Sequence, residues 1–215
     1  MNRSILSRTL AAAAILTLAA CSGMNGAAPG ASSTPSKAPV QPLTDAKAVG
    51  AREFYSKALD LAKKDAADAT LMRVDSQRGA DFEAHMPPDG KAPHWLFTFG
   101  SKSKNIEISI TASSVELKKI YQGPVTFVPE SALPGDWVDS TAAFETAEKN
   151  GGADYRATHA DLPVYYSLGH DGRLKKAVWT LRYSANPKQG LLFFLVDAVS
   201  GQFIEKQETK AQGTT

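Results

Sequence analysis

Apolar and polar residues alternate most cleanly at Ile106-Glu-Ile-Ser-Ile-Thr. There Ile106, Ile108 and Ile110 fall on one side of an extended chain, and Glu107, Ser109 and Thr111 on the other. This pattern predicts a strand with one buried and one wet face, paired through the polar turn Gly100–Asn105 with Trp95-Leu-Phe-Thr-Phe. The same layout returns about 85 residues later. Val178-Trp-Thr-Leu-Arg-Tyr, the turn-rich stretch Ser184–Gly190, Leu191-Leu-Phe-Phe-Leu-Val and Gln202-Phe-Ile read as consecutive antiparallel strands. The run from Leu191 to Val196 does not alternate. If Leu191, Phe193 and Leu195 face a helix, then Leu192, Phe194 and Val196 form an apolar band on the opposite face. That band is a candidate partner-binding surface unless the other half or the linker covers it.

Helical spacing appears twice. Ala51, Tyr55, Ala58 and Ala62, flanked by Phe54 and Leu61, mark an amphipathic helix capped from Thr44 or Asp45, with Arg52, Lys57, Asp60, Lys63 and Lys64 expected on its solvated face. Ala143, Phe144 and Ala147 mark a shorter helix capped by Asp139 or Ser140 and ended by Gly151-Gly152 in the left-handed conformation. Leu71-Met-Arg-Val-Asp and Val164-Tyr-Tyr-Ser-Leu are further strands, the second turning at Gly169–Gly172. Breakers crowd residues 121–138: Gly123-Pro124, Pro129 and Pro134-Gly135. The expected organisation is α+β with two related halves, 44–120 and 139–206, each a helix on an antiparallel sheet and joined by a linker over 121–138; 207–215 is a disordered tail. The landmark pairs Ala62/Ala147, Trp95/Trp179 and Thr111-Ala112/Asp197-Ala198 carry the repeat.

The amino terminus changes the picture of where the chain works. Arg3 and Arg8 precede a short apolar core, Leu10–Leu18, which reads as a secretory signal over 1–20 and is too short to span a bilayer. Leu18-Ala-Ala-Cys21 resembles the bacterial lipobox. That resemblance implies a diacylated Cys21 as the mature amino terminus and the lipid bilayer as a partner. Ser22 follows where aspartate commonly signals inner-membrane retention, so the resemblance implies the outer membrane, facing the periplasm. Residues 21–43 are rich in Gly, Ala, Ser and Pro and form a tether. Cys21 is the single cysteine, so no disulfide staples the core.

With 43% hydrophobic and 21% charged residues the chain has the composition of a globular protein, not a disordered one. Without Arg3 and Arg8 it carries 22 basic and 22 acidic side chains, with no basic run, which argues against nucleic acid as a partner.

Trp179-Thr-Leu-Arg-Tyr followed by Leu195-Val-Asp-Ala-Val-Ser-Gly-Gln-Phe-Ile resembles the PepSY domain, whose last strand runs into Val-Asp-Ala-x-Thr-Gly. The likeness covers residues 139–206, with Ser200 in place of the threonine, and 44–120 as a weaker duplicate without the Asp and Gly. It implies a PepSY-like or cystatin-like fold, Asp197, Ala198 and Gly201 as motif residues, and a protein-binding role that in some members restrains a peptidase. The residues themselves ask less: Asp197 as an Asx-turn and Gly201 at positive φ suffice to close a hairpin.

Candidate chemistry is sparse. Ser101-Lys-Ser-Lys104 has the Ser-x-x-Lys spacing of penicillin-binding enzymes but sits in a polar turn without their Lys-Thr-Gly companion. His85, Met86 and His94 offer soft-metal ligands around a proline-rich loop, without a further close ligand. His159 and His170 have Asp161 and Asp171 beside them but no serine or cysteine nucleophile. No catalytic residue, cofactor or metal site is assigned. The reading is a membrane-anchored, non-enzymatic envelope lipoprotein that binds a protein partner. The alternative is a small-ligand or metal carrier using Gln77–Pro93.

Overall fold

The computed structural model describes residues 46–77, 88–126, 128–159, 162–183 and 191–209. The signal at 1–20, Cys21 and the tether to 43, the cap at Thr44 or Asp45, His85 and Met86, the turn 184–190 and the tail beyond 209 lie outside them. Residues Leu43–Thr215 form one compact unit.

The chain is α+β. The first helix, α1 (Arg52–Asp65), is followed by β1 (Thr70–Ser76), β2 (His94–Ser101), β3 (Ile106–Ser113) and β4 (Leu117–Pro124). Then α2 (Ser140–Ala147) runs through a wide turn, Glu148–Gly152, into α3 (Ala153–Thr158), and β5 (Val164–Asp171), β6 (Lys176–Tyr183), β7 (Leu191–Asp197) and β8 (Phe203–Thr209) complete the unit. All eight strands share one antiparallel sheet in the order β4-β3-β2-β1-β5-β6-β7-β8. The halves therefore do not carry separate sheets; β1 and β5 join them at the centre.

One face of the sheet carries the core. Phe97, Phe99, Ile108 and Ile110 are fully buried there with Trp95 and Trp179, as the alternation in β3 predicts. Ala51, Phe54, Ala58 and Ala62 bury the inner stripe of α1, and small residues let the helix backbone approach the sheet. Trp95 Nε1 donates to the Val49 carbonyl and Trp179 Nε1 to the Val138 carbonyl, each just ahead of a helix, and the two indoles meet edge to face at 6.4 Å.

The two helix starts share one cap. Asp139 Oδ1 accepts from Ser140 N at 2.9 Å and from Arg52 N at 3.0 Å, while Ser140 Oγ accepts from Ala51 N. This satisfies donors that every helix amino terminus leaves open. Gly50 makes the approach possible, since a Cβ there would lie 2.0 Å from Asp139 Oδ2. The cap of α1 is thus tertiary.

Several expectations are corrected. Arg52 is not on a solvated face: its guanidinium donates to the Trp137 and Gly135 carbonyls and lies 4.5 Å above the Trp137 ring. The 121–138 stretch is not a bare linker. Its first residues complete β4, and Trp137 is fully buried against Tyr55 and Trp179, because an aromatic among prolines still has apolar area to bury. Gly151, at φ +109, breaks the second helix as expected, but the chain resumes as α3. Strand β5 continues to Asp171, so the turn falls at 172–175, and β8 reaches Thr209, three residues into the expected tail.

Candidate binding face

Side chains on strands alternate between faces, so the core positions name the other face by parity. With Val74, Leu168, Trp179, Leu181 and Phe194 turned to the helices, Arg73, Asp75, Ser167, Thr180, Arg182 and Phe193 belong to the face that no helix covers. A depression of about 660 Å³ opens there over β1, β5, β6 and β7.

Two features organise it. Arg182 pairs with Tyr165 on β5 and Phe193 on β7, and its guanidinium lies 4.3 Å above the Tyr165 ring. Where β1 meets β5, Arg73 forks onto Asp75 at 2.6 and 2.9 Å and reaches Ser167 Oγ at 3.3 Å. That fork holds the Arg73 pKa above its ordinary value, chiefly through the hydrogen bond to Asp75. Ser167 and Thr180 face each other beside it. The two arginines, Arg73 and Arg182, are matched by two carboxylates, Asp75 and Asp171, and Asp75 stands directly opposite Ser167.

The sequence missed this site. Arg73 and Asp75 could be read as wet positions of a strand, but nothing in the sequence brings residue 73 beside residue 167. Only the β1–β5 pairing does.

The apolar band is reversed in orientation. Leu192, Phe194 and Val196 are 2%, 0% and 0% exposed and lie in the core under the helices, with Phe194 edge to face on Tyr183 at 5.0 Å. They are not a partner surface. A run of six apolar residues carries no parity, so the choice of inner face fell to the register with β6. Their neighbours Leu191, Phe193 and Leu195 take the other face.

The motif residues have structural work. Asp197 Oδ1 accepts from Val199 N and Ser200 N, its Oδ2 takes Lys176 Nζ at 2.8 Å, and Gly201 turns the chain at φ +69. Lys176 and these amides hold the Asp197 carboxyl down at about 2. Ala198 is fully buried and its carbonyl accepts from Val138 N. Its proposed counterpart Thr111-Ala112 is displaced by two residues. Trp95 pairs with Ala112 and Trp179 with Val196, so Ser113 stands where Asp197 does.

The other candidates stay apart. Ser101 Oγ donates to Asp68 Oδ1, and Lys104 Nζ turns to the Asp65 carbonyl instead of to the serine. Asp68, accepting from Ser101 and Ser103, is held at about 2. His94 is buried at the start of β2, its pKa lowered by burial and partly restored by Glu116. His159 stacks on Tyr155 at 4.2 Å, and Asp171 caps the turn at Arg173 and Leu174. Among the described residues no three His, Cys, Asp or Glu side chains are grouped to hold a metal ion. No helix among them is long and apolar enough to cross a membrane.

No protein-family model matches the chain and no curated protein matches it, so the PepSY resemblance rests on the residues quoted above. Among solved structures, the fold is similar to that of CD1622 from Clostridium difficile 630, provisionally described as a lipoprotein. The two are 15% identical, the match covers 72% of this chain and 92% of the other, and the TM-score is 0.49.

Proposed function

We propose that the chain is a lipid-anchored protein of the bacterial envelope that binds a protein partner without transforming it, and that the helix-free face of the sheet is the binding face. The observation that carries this reading is the row Tyr165–Arg182–Phe193 beside the Arg73–Asp75 fork. Arg182 and Phe193 are half-buried and Tyr165 lies buried beneath the guanidinium, and arginine and large aromatics are the residue types that dominate protein interfaces. The anchor is Cys21, on the lipobox-like sequence, with the outer membrane favoured by Ser22. The PepSY resemblance suggests a peptidase as the partner class.

The two halves are read as a tandem duplication. Three matches support it: a strand order that is the same from either edge, paired indoles bonded to pre-helix carbonyls, and Ser113 and Asp197 at equal distance from Trp95 and Trp179.

The experiment is site-specific photocrosslinking in cells from Thr180, with Glu205 on β8 as the control site. A partner is expected to crosslink from Thr180 and to vanish in Arg182→Ala while the melting transition stays within about 1 kcal/mol of the parent. Equal crosslinking from both sites removes this face from consideration. A second reading, a small-ligand carrier, draws on the size of the depression, which falls in the range of ligand pockets. It expects binding heat in calorimetry with a small ligand and no protein crosslink.

A further inference from the structure

The two outer strands of the sheet differ sharply. Val115, Leu117, Ile120 and Tyr121 are 63%, 37%, 51% and 48% exposed within seven consecutive residues at β4. Lys118 and Lys119 stand exposed among them, Lys118 4.0 Å from Glu116 and Lys119 paired with Asp65. The opposite edge, β8, presents Glu205, Lys206, Gln207 and Glu208 to solvent or near it, with Arg173 paired to Glu205 and Phe203 36% exposed at the start of the strand. Charge follows the same division: residues 46–126 carry 12 basic and 10 acidic side chains, residues 127–215 carry 9 and 11.

Two occupants suit an apolar, lysine-bordered strand edge: another strand, or the surface of a bilayer. The edge is built against a strand. The register with β3 slips between Ser109 and Ile110, leaving Ile120 as an extra residue, lysines occupy 118 and 119, and Pro124 ends the strand. A bulge, edge lysines and a terminal proline all disfavour strand addition. None of them disfavours a lipid headgroup layer, where apolar side chains insert and lysines meet anionic phosphates.

The path of the chain points the same way. The described fold begins at Ala46, and Lys47 N donates to Ser114 Oγ at 2.8 Å, one residue from Val115. The chain leading from Cys21 thus joins the domain at the β3–β4 corner, beside the exposed patch.

We infer that β4 and the β3–β4 corner form a membrane-facing edge that rests on an anionic bilayer surface, with β8 turned away. The inference rests on the envelope-lipoprotein reading for its setting, but it is tested without the lipid. The fragment Leu43–Thr215 contains the whole described core and lacks Cys21. It is mixed at low salt with vesicles of roughly three parts phosphatidylethanolamine to one part phosphatidylglycerol, and partition is read by flotation. The fragment is expected to float with these vesicles and to lose at least about tenfold in partition as Ile120→Asp/Tyr121→Asp. Phe203→Asp, at the other edge, is expected to float like the parent, and all three to melt alike because the substituted side chains are exposed. No flotation of the folded fragment, or equal flotation of both variants, overturns the proposal. So does a fragment that ignores vesicles but dimerises through an Ile120-sensitive contact in sedimentation, which assigns the edge to a second copy. Acyl chains on Cys21, read by intact mass of the full-length protein from membranes, are a separate result: their absence defeats the anchor and leaves the vesicle measurement standing.

Discussion

At the end of β3, Ser113 Oγ accepts from Val115 N and Glu116 N; at the end of β7, Asp197 Oδ1 accepts from Val199 N and Ser200 N. Each corner is held by a side chain that accepts from the amides two and three residues on, a neutral hydroxyl in one half and a carboxylate in the other, though the second corner is two residues longer. Further along the preceding strands, Phe99 in β2 stands where Tyr183 does in β6, four residues after each tryptophan. Only Tyr183 reaches out of the core, donating to Glu148 Oε1, and Glu148 also pairs with Arg156 of α3. The first half solves the same packing problem with one uninterrupted helix, α1. The two halves thus differ in chemistry at these positions: the second carries a carboxylate at its corner and beside Tyr183, where the first has a hydroxyl and the phenyl ring of Phe99.

The comparison can be broken hardest at its shared core. Phe194→Asp places a carboxylate where exposure is 0% and should cost several kcal/mol. In a domain stable by about 5–15 kcal/mol this is enough to abolish cooperative unfolding near room temperature, as read by near-ultraviolet circular dichroism. Next in size is Asp139→Ala. One carboxylate serves the starts of both helices, so the loss should reach about 2 kcal/mol, the upper end for a cap, and should lower protection of amides at both Arg52 and Ser140 in hydrogen exchange. A loss of protection confined to Ser140 would mean that α1 is capped some other way.

Tyr183→Phe makes the second half like the first and removes a hydrogen bond to a carboxylate. About 1–2 kcal/mol should go in urea unfolding, and Phe99→Tyr should not supply it to the first half. Smallest is the contrast of the corners. Because the folded pKa of Asp197 lies at about 2, below the ordinary carboxylate value, its charge contributes stability in full above about pH 4 and loses it as pH falls through about 2. Asp197→Asn should therefore cost stability at neutral pH by an amount that shrinks toward pH 2. Ser113→Ala, lacking a titrating group, should cost about the same at both, roughly 1 kcal/mol or less. Parallel pH profiles for the two variants would dissolve the distinction.

Much of the frame was legible from local pattern. The Ile106–Ile110 alternation, the small-residue stripe of α1, the Asp139 cap and the turn chemistry of Asp197 and Gly201 each depend on residues a few positions apart, which the chain alone specifies. Strand β4 was not legible. Leu-Lys-Lys-Ile-Tyr has neither alternation nor a long apolar run, because an edge strand exposed on both faces obeys no burial pattern. The inward face of Leu191–Val196 was also beyond reach, since six apolar residues in succession satisfy either parity.

What the sequence determined by itself is the class of the fold, the strand runs other than β4, the two helical stripes, and the lipobox-like start, because each follows from composition and spacing within one segment. What only the tertiary structure decided is how distant segments meet. The antiparallel pairing of Val74 with Leu168 makes one sheet from two halves, the same pairing sets Arg73 beside Ser167, and Asp139 caps a helix 87 residues upstream. Contacts at such separations depend on which buried surfaces fit together, and local hydrophobic periodicity carries no record of that fit.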